Sequence, residues 1–178
     1  MKNEKRLRIV VVLYLLIICV LGRLIFMIPN QRYLNILNID DFYVTSCIVL
    51  LAITLLIFFF VKGSVGKKLW MTIFFSIIIF TISAVYFYSN LPQYTYEEAA
   101  KKVANAEKQK GKSVQLQIPM YREDKLGVGK ESFLQMTNHT YYIYLNVDDK
   151  PLVFKFNPLS GQFEEVTGER VLEEYEVQ

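Results

Sequence analysis

Residues able to carry chemistry are scarce in this 178-residue chain, which has one histidine and two cysteines. Cys19 and Cys47 both lie in apolar runs, so the polar half has no thiol for a disulfide or a metal. His139, in Thr137-Asn138-His139-Thr140, has no second histidine to complete a zinc site. No Gly-x-Ser-x-Gly, Walker-type glycine loop or His-Glu-x-x-His occurs. The carboxylate pairs Glu97-Glu98, Asp148-Asp149 and Glu164-Glu165 are sequence neighbours, explained by capping, turn chemistry or a solvated face rather than by acid/base work. The expectation is therefore no enzyme, no catalytic residue, no cofactor, no metal and no identifiable small-molecule substrate. Nucleic acid is excluded too. Residues 1–89 carry nine Lys/Arg against three Asp/Glu, and residues 90–178 eleven against fourteen, so the basic residues flank apolar runs instead of forming one face.

What the chain does have is hydrophobicity: 53% apolar residues, 15% aromatics and a mean hydropathy of +0.26. A helix crossing a bilayer needs about 20 apolar residues. Three stretches reach that length, 7–28, 42–61 and 69–88, and the only charges inside them are Arg8 and Arg23. The expected domains are a three-helix transmembrane domain over 1–89 and a polar domain over 90–178. Lys2, Lys5, Arg6 and Arg8 precede the first span, Arg32 stands alone in the first loop, and Lys62, Lys67 and Lys68 occupy the second. By the positive-inside rule the N-terminus faces the cytoplasm and the C-terminal domain is extracytoplasmic. Trp70 on one side, with Phe42, Tyr43, Tyr86 and Tyr88 on the other, gives the same orientation. The first span has the basic opening of a signal peptide, but its apolar run is long and no small-residue cleavage site follows, so it reads as retained. A cysteine-free exported domain leans toward a bacterial plasma membrane.

Arg23 is the intramembrane charge that needs an account. Its long stem can snorkel to the outer headgroups, and a contact with another helix or a partner is the next reading, with transport last because no carboxylate lies in the second or third span. Thr72, Ser76 and Ser83 fall within about 40° of one another at 100° per residue, a small hydroxyl-bearing stripe. It suits packing among the three helices or, less favoured, a partner helix. The apolar loop 33–39 is too short to span and is expected to lie on the outer membrane surface.

In the polar half, Thr95-Tyr96-Glu97-Glu98 is a capping box. It opens a helix over 95–109, with Tyr96, Ala99, Ala100, Val103 and Ala106 inward, Lys101, Lys102, Asn105 and Lys108 outward, and Gly111 as the stop. The period then becomes two. Val114, Leu116 and Ile118 alternate with glutamines, and Tyr141, Ile143 and Leu145 alternate with Tyr142, Tyr144 and Asn146. Leu152, Phe154 and Phe156 form a third strand after an Asp148-Asp149-Lys150 hairpin turn, and a strand over 162–166 follows the turn Asn157-Pro158-Leu159-Ser160-Gly161. Residues 119–135 read as a solvated loop before a strand at 132–136, and the acidic tail 167–178 as a short helix or disorder. The spacing thus predicts an α+β domain, one helix on a four- or five-stranded antiparallel sheet.

The run Tyr94-Thr95-Tyr96-Glu97-Glu98-Ala99-Ala100-Lys101-Lys102-Val103, a Tyr-rich strand, and Val153-Phe154-Lys155-Phe156-Asn157-Pro158-Leu159-Ser160-Gly161-Gln162-Phe163 together resemble the PepSY-type extracytoplasmic module. The resemblance covers about 70 residues, and related patterns recur in cystatin-like folds; the stretch 119–135 departs from it. It implies a noncatalytic, often membrane-anchored module acting in protease inhibition or envelope regulation, with no catalytic residues to carry over. Two functions follow as expectations. In one, the outer domain binds an envelope protein or peptide, with Tyr142 and Tyr144 as contacts if they do not pack on the domain itself. In the other, a small immunity or accessory subunit recognises a membrane protein through its spans, with Arg23 and Ser76 as contacts.

Overall fold

Apolar runs without internal charge leave a chain in hydrocarbon one local solution, a helix that satisfies its own backbone. The computed structural model describes residues 2–129 and 134–166, and three such helices open it: α1 (Lys2–Asn30), α2 (Ile39–Phe60) and α3 (Val65–Ser89). All three are long and apolar enough to cross a membrane, so the chain is a multi-pass membrane protein. The helix ends are tied off locally. Ser64 caps α3 by accepting the Lys67 amide, and Lys68 Nζ donates to the Phe58 carbonyl in the last turn of α2 at 2.8 Å. Side-chain hydroxyls are satisfied the same way: Thr54 bonds the Leu50 carbonyl and Thr72 the Lys68 carbonyl.

The helices meet through rings and hydroxyls. Phe87 of α3 stands edge-on to Phe26 of α1 and Phe42 of α2, each at 5.1 Å between ring centroids, and all three rings are buried. One step away, Ser46 Oγ donates to Ser83 Oγ at 2.8 Å, joining α2 to α3. Gly22 brings α1 against the Phe80 ring, where an added Cβ would lie 3.0 Å from a ring carbon. The outward faces of all three helices expose Ile, Leu, Val and Phe side chains, as a lipid-facing surface requires.

The chain divides into two compact units: these three helices, and a second unit formed by Gln31–Leu37 with the chain from Leu91 onward. In the second unit α4 (Tyr96–Gln109) starts at Thr95, whose hydroxyl accepts the Glu98 amide while the Glu98 carboxylate accepts the Thr95 amide at 2.8 Å. Five antiparallel strands follow, β1 (Val114–Gln117), β2 (Leu126–Val128), β3 (His139–Val147), β4 (Lys150–Phe156) and β5 (Phe163–Val166). The order is β1-β3-β4-β5, with β2 pairing the N-terminal half of β3 and β1 its C-terminal half. Asp148 and Asp149 both take positive φ (51° and 63°), the two-residue turn that matches hairpin twist. Register places Tyr141 opposite Phe156, Ile143 opposite Phe154 and Leu145 opposite Leu152, and α4 lies on that face through Tyr96, edge-on to Tyr141 at 5.6 Å.

Several expectations are corrected. The stretch 119–135 contains a strand, β2, that its glycines concealed; of the strand expected at 132–136, residues 132–133 lie outside the described residues and 134–136 are not strand. Ile118 is exposed rather than part of β1, and Ala106 is only half-buried while Ala104 and Glu107 turn inward. The loop expected on the membrane surface is folded into the sheet unit instead: Tyr33, Ile36 and Leu37 are buried there, Tyr33 donates to the Pro92 carbonyl at 3.0 Å, and Leu37 bridges Thr137. The tail 167–178 lies outside the described residues.

Two substitutions test this packing. Thr95→Ala removes the capping box and should cost about 1 kcal/mol of α4 stability, read as roughly fivefold faster hydrogen exchange in its first turn. Gly127→Ala would set a Cβ 2.8 Å from both Thr140 Oγ1 and the Tyr142 ring. Overpacking of that kind costs about 1–3 kcal/mol, and exchange at β3 amides should rise with it while that of the membrane helices does not.

Candidate interaction surfaces

The four residues singled out as contacts are taken up by the protein's own structure. Arg23 donates to Asp40 Oδ1 at 3.0 Å, an inter-helix pair between α1 and α2. This corrects the expectation that no carboxylate in the second span can meet it: α2 begins at Ile39, three residues before the apolar run, and brings Asp40 into its first turn. Both side chains are more than half exposed, and in water such a pair contributes about 0–1 kcal/mol. Ser76 is buried, and its hydroxyl donates to the Ile73 carbonyl of its own helix at 2.7 Å. With Thr72 also buried and Ser83 bonded to Ser46, the stripe packs among the protein's own helices.

Tyr142 is not a surface contact, since only 1% of it is exposed. Its ring lies across Gly127 of β2, which has no Cβ to fill the space, so a side chain on the face opposite α4 is buried by its neighbouring strand. Tyr144 is half-buried, and its hydroxyl donates to the Asp124 carbonyl at 2.9 Å, holding the short 3-10 turn Glu123–Lys125 that leads into β2.

Three features were missed. Glu107 is 2% exposed, yet it continues the 96, 100, 103 stripe of α4. Its carboxylate accepts from Lys110 Nζ and from Lys112 Nζ, the latter at 2.8 Å, so a buried charge is paired as it must be. The two ammonium groups hold Glu107 below the ordinary carboxylate range, and Glu107 in turn raises Lys112. The signal was an acidic residue on an apolar stripe followed by two lysines.

The second feature is a recess of about 530 Å³ beside α4, lined by Tyr94, Glu98, Lys101, Lys102, Asn105 and Gln109 with Phe163 of β5. Lys102, expected outward, is half-buried with Nζ 3.0 Å from the Tyr94 hydroxyl and 4.3 Å from its ring centroid. Glu98 sits below the usual carboxylate range because the Thr95 amide, then the Thr95 hydroxyl, donate to it.

The third is Arg122. Its Nε donates to the Leu34 carbonyl at 2.5 Å and its guanidinium to the Asn35 carbonyl at 3.2 Å. Leu34 and Asn35 both take φ of 57°, so two successive left-handed residues turn the backbone at the point where Arg122 grips it. No local pattern links residues 88 positions apart. Burial, and after it the Arg122 charge, depress the neighbouring His139.

The carboxylate shifts fix a pH dependence. Glu98 and Glu107 both have folded values below the ordinary 4.5, so their contribution is present above that value and is lost as pH falls through the lowered ones. Unfolding of the sheet domain followed below pH 4.5 should steepen for the native chain, and Glu107→Gln should flatten that limb while lowering stability at neutral pH.

No protein-family model, curated protein or solved structure matches this chain.

Proposed function

We propose that the chain is a noncatalytic, membrane-anchored interaction protein of the bacterial cell envelope, with its N-terminus in the cytoplasm and a PepSY-like sheet domain outside that binds a protein or peptide. One observation carries the reading. The α1–α2 connection, Gln31–Leu37, belongs to the same folded unit as the chain after α3. Three single crossings put those two segments on one side, and the single Arg32 there, against the clusters at 2–8 and 62–68, favours the outside. A capped helix followed by an antiparallel sheet, with the Asn157–Gly161 turn between β4 and β5, is the order the PepSY resemblance implies.

With Tyr142 buried, the recess beside α4 becomes the binding surface. Tyr94 and Phe163 supply amphipathic and apolar area, and Lys101 and Lys102 supply charge for an acidic segment. The accessory-subunit reading retains one observation of its own, an apolar groove of about 630 Å³ between α1 and α3, lined by Tyr14, Gly22, Ser76, Ile77 and Thr81 among others.

Photo-crosslinking in cells with probes at Asn105 and at Ile77 separates the two. Capture of an envelope protein at Asn105, reduced about tenfold or more by Lys101→Glu with Lys102→Glu, is expected, since loss of charge-assisted contacts readily exceeds 1.4 kcal/mol. Capture at Ile77 alone would favour the accessory subunit, and silence at both sites would refute both.

A further inference from the structure

Among the described residues of the sheet unit, the large apolar side chains left exposed are Ile118, Met120 and Tyr121, within the connection from β1 to β2, and Val128 at the end of β2. Met120 is 89% exposed and Tyr121 67%. Such a cluster is costly in water and marks a surface with an occupant. The residue after Tyr121 is Arg122, which grips the Leu34 and Asn35 carbonyls. Leu34 lies four residues beyond the end of α1 and Asn35 four before the start of α2. At about 3.3–3.6 Å per residue, each gripped carbonyl is at most about 14 Å of chain from a membrane-crossing helix. The backbone that Arg122 grips is therefore tied by two short connections to membrane-crossing helices.

We infer that Ile118, Met120 and Tyr121 are a second membrane contact, a tip that enters the interfacial layer of the bilayer and docks the sheet domain against lipid. The short covalent tether from the backbone that Arg122 holds to two membrane-crossing helices favours lipid over a protein occupant. The residue types agree: isoleucine and methionine bury apolar surface, and tyrosine suits the headgroup boundary, where its ring is apolar and its hydroxyl wet. The tip takes the role that the sequence pattern suggested for residues 33–39, whose apolar side chains are spent inside the domain. The inference rests on α1, α2 and α3 crossing the membrane.

The test uses the full chain with Cys19→Ala and Cys47→Ala, one new cysteine carrying a fluorophore, and phosphatidylcholine–phosphatidylglycerol vesicles whose acyl chains bear nitroxides both near the headgroup and near the chain end. Labels replace Met120, Ile77 in α3, or Asp149 in the β3–β4 turn. Quenching at 120 comparable to that at 77, with none at 149, is expected. Ile118→Ser with Tyr121→Ser should reduce it several-fold while hydrogen exchange at β3 stays unchanged. Position 120 behaving like 149 while 77 is quenched would overturn the inference and leave the spans intact. Shielding of 120 from aqueous iodide without lipid quenching would overturn it in favour of a protein occupant. Absence of quenching at 77 would overturn the spanning reading and the docking inference with it.

Discussion

A backbone that enters hydrocarbon has to carry its own hydrogen-bond partners, and this requirement organises the first half of the chain. Main-chain groups pair inside each helix, and the polar side chains that cannot be left out are folded back onto carbonyls: Thr54, Thr72, Ser76 and Lys68 all donate to backbone oxygens of α2 or α3. Where a hydroxyl reaches across, it meets a polar group rather than lipid: Ser46 meets the Ser83 hydroxyl and Tyr88 the Ile25 carbonyl. Arg23 obeys the same rule through Asp40. Association of the helices is then left to shape, with Phe26, Phe42 and Phe87 interlocked edge to face and Gly22 giving way to Phe80.

The sheet unit meets a different constraint. It has no disulfide and a modest length, so its core must come from one helix on one sheet. Tyr96, Tyr141, Phe154 and Phe156 supply most of the bulk on the α4 face, and the Tyr96 hydroxyl finds the Tyr142 carbonyl at 3.2 Å, so the ring is buried without an orphaned donor. The opposite face gains cover because β2 carries a glycine under Tyr142. The unit also draws in Gln31–Leu37, which gives the connection between two membrane helices a folded partner in place of free loop conformations.

Local rules carried a large part of this into the sequence. Run length and charge placement are properties of consecutive residues, so α1, α2 and α3 were legible to within a few positions, and the Thr95–Glu98 box and the Asp148–Asp149 turn were legible because each is written in four residues or fewer. Alternation located β3 and β4 for the same reason. It failed at β2, where Gly127 is chosen for the ring that lies on it and not for strand propensity. It also failed to say which of two apolar-enough faces of β3 would be covered, leaving Tyr142 between surface contact and core, and it is core.

By itself the sequence determined that three helices cross, where they lie, and that an α+β unit follows them, because hydropathy, capping and pleat period depend on neighbours along the chain. Tertiary structure alone decided that Asp40 neutralises Arg23, that Glu107 is paired inside, and that Arg122 binds the carbonyls of Leu34 and Asn35. Each of these depends on the three-dimensional approach of charged or polar groups at the ends of elements, and for Arg122 that approach closes a separation of 88 residues for which no local pattern exists.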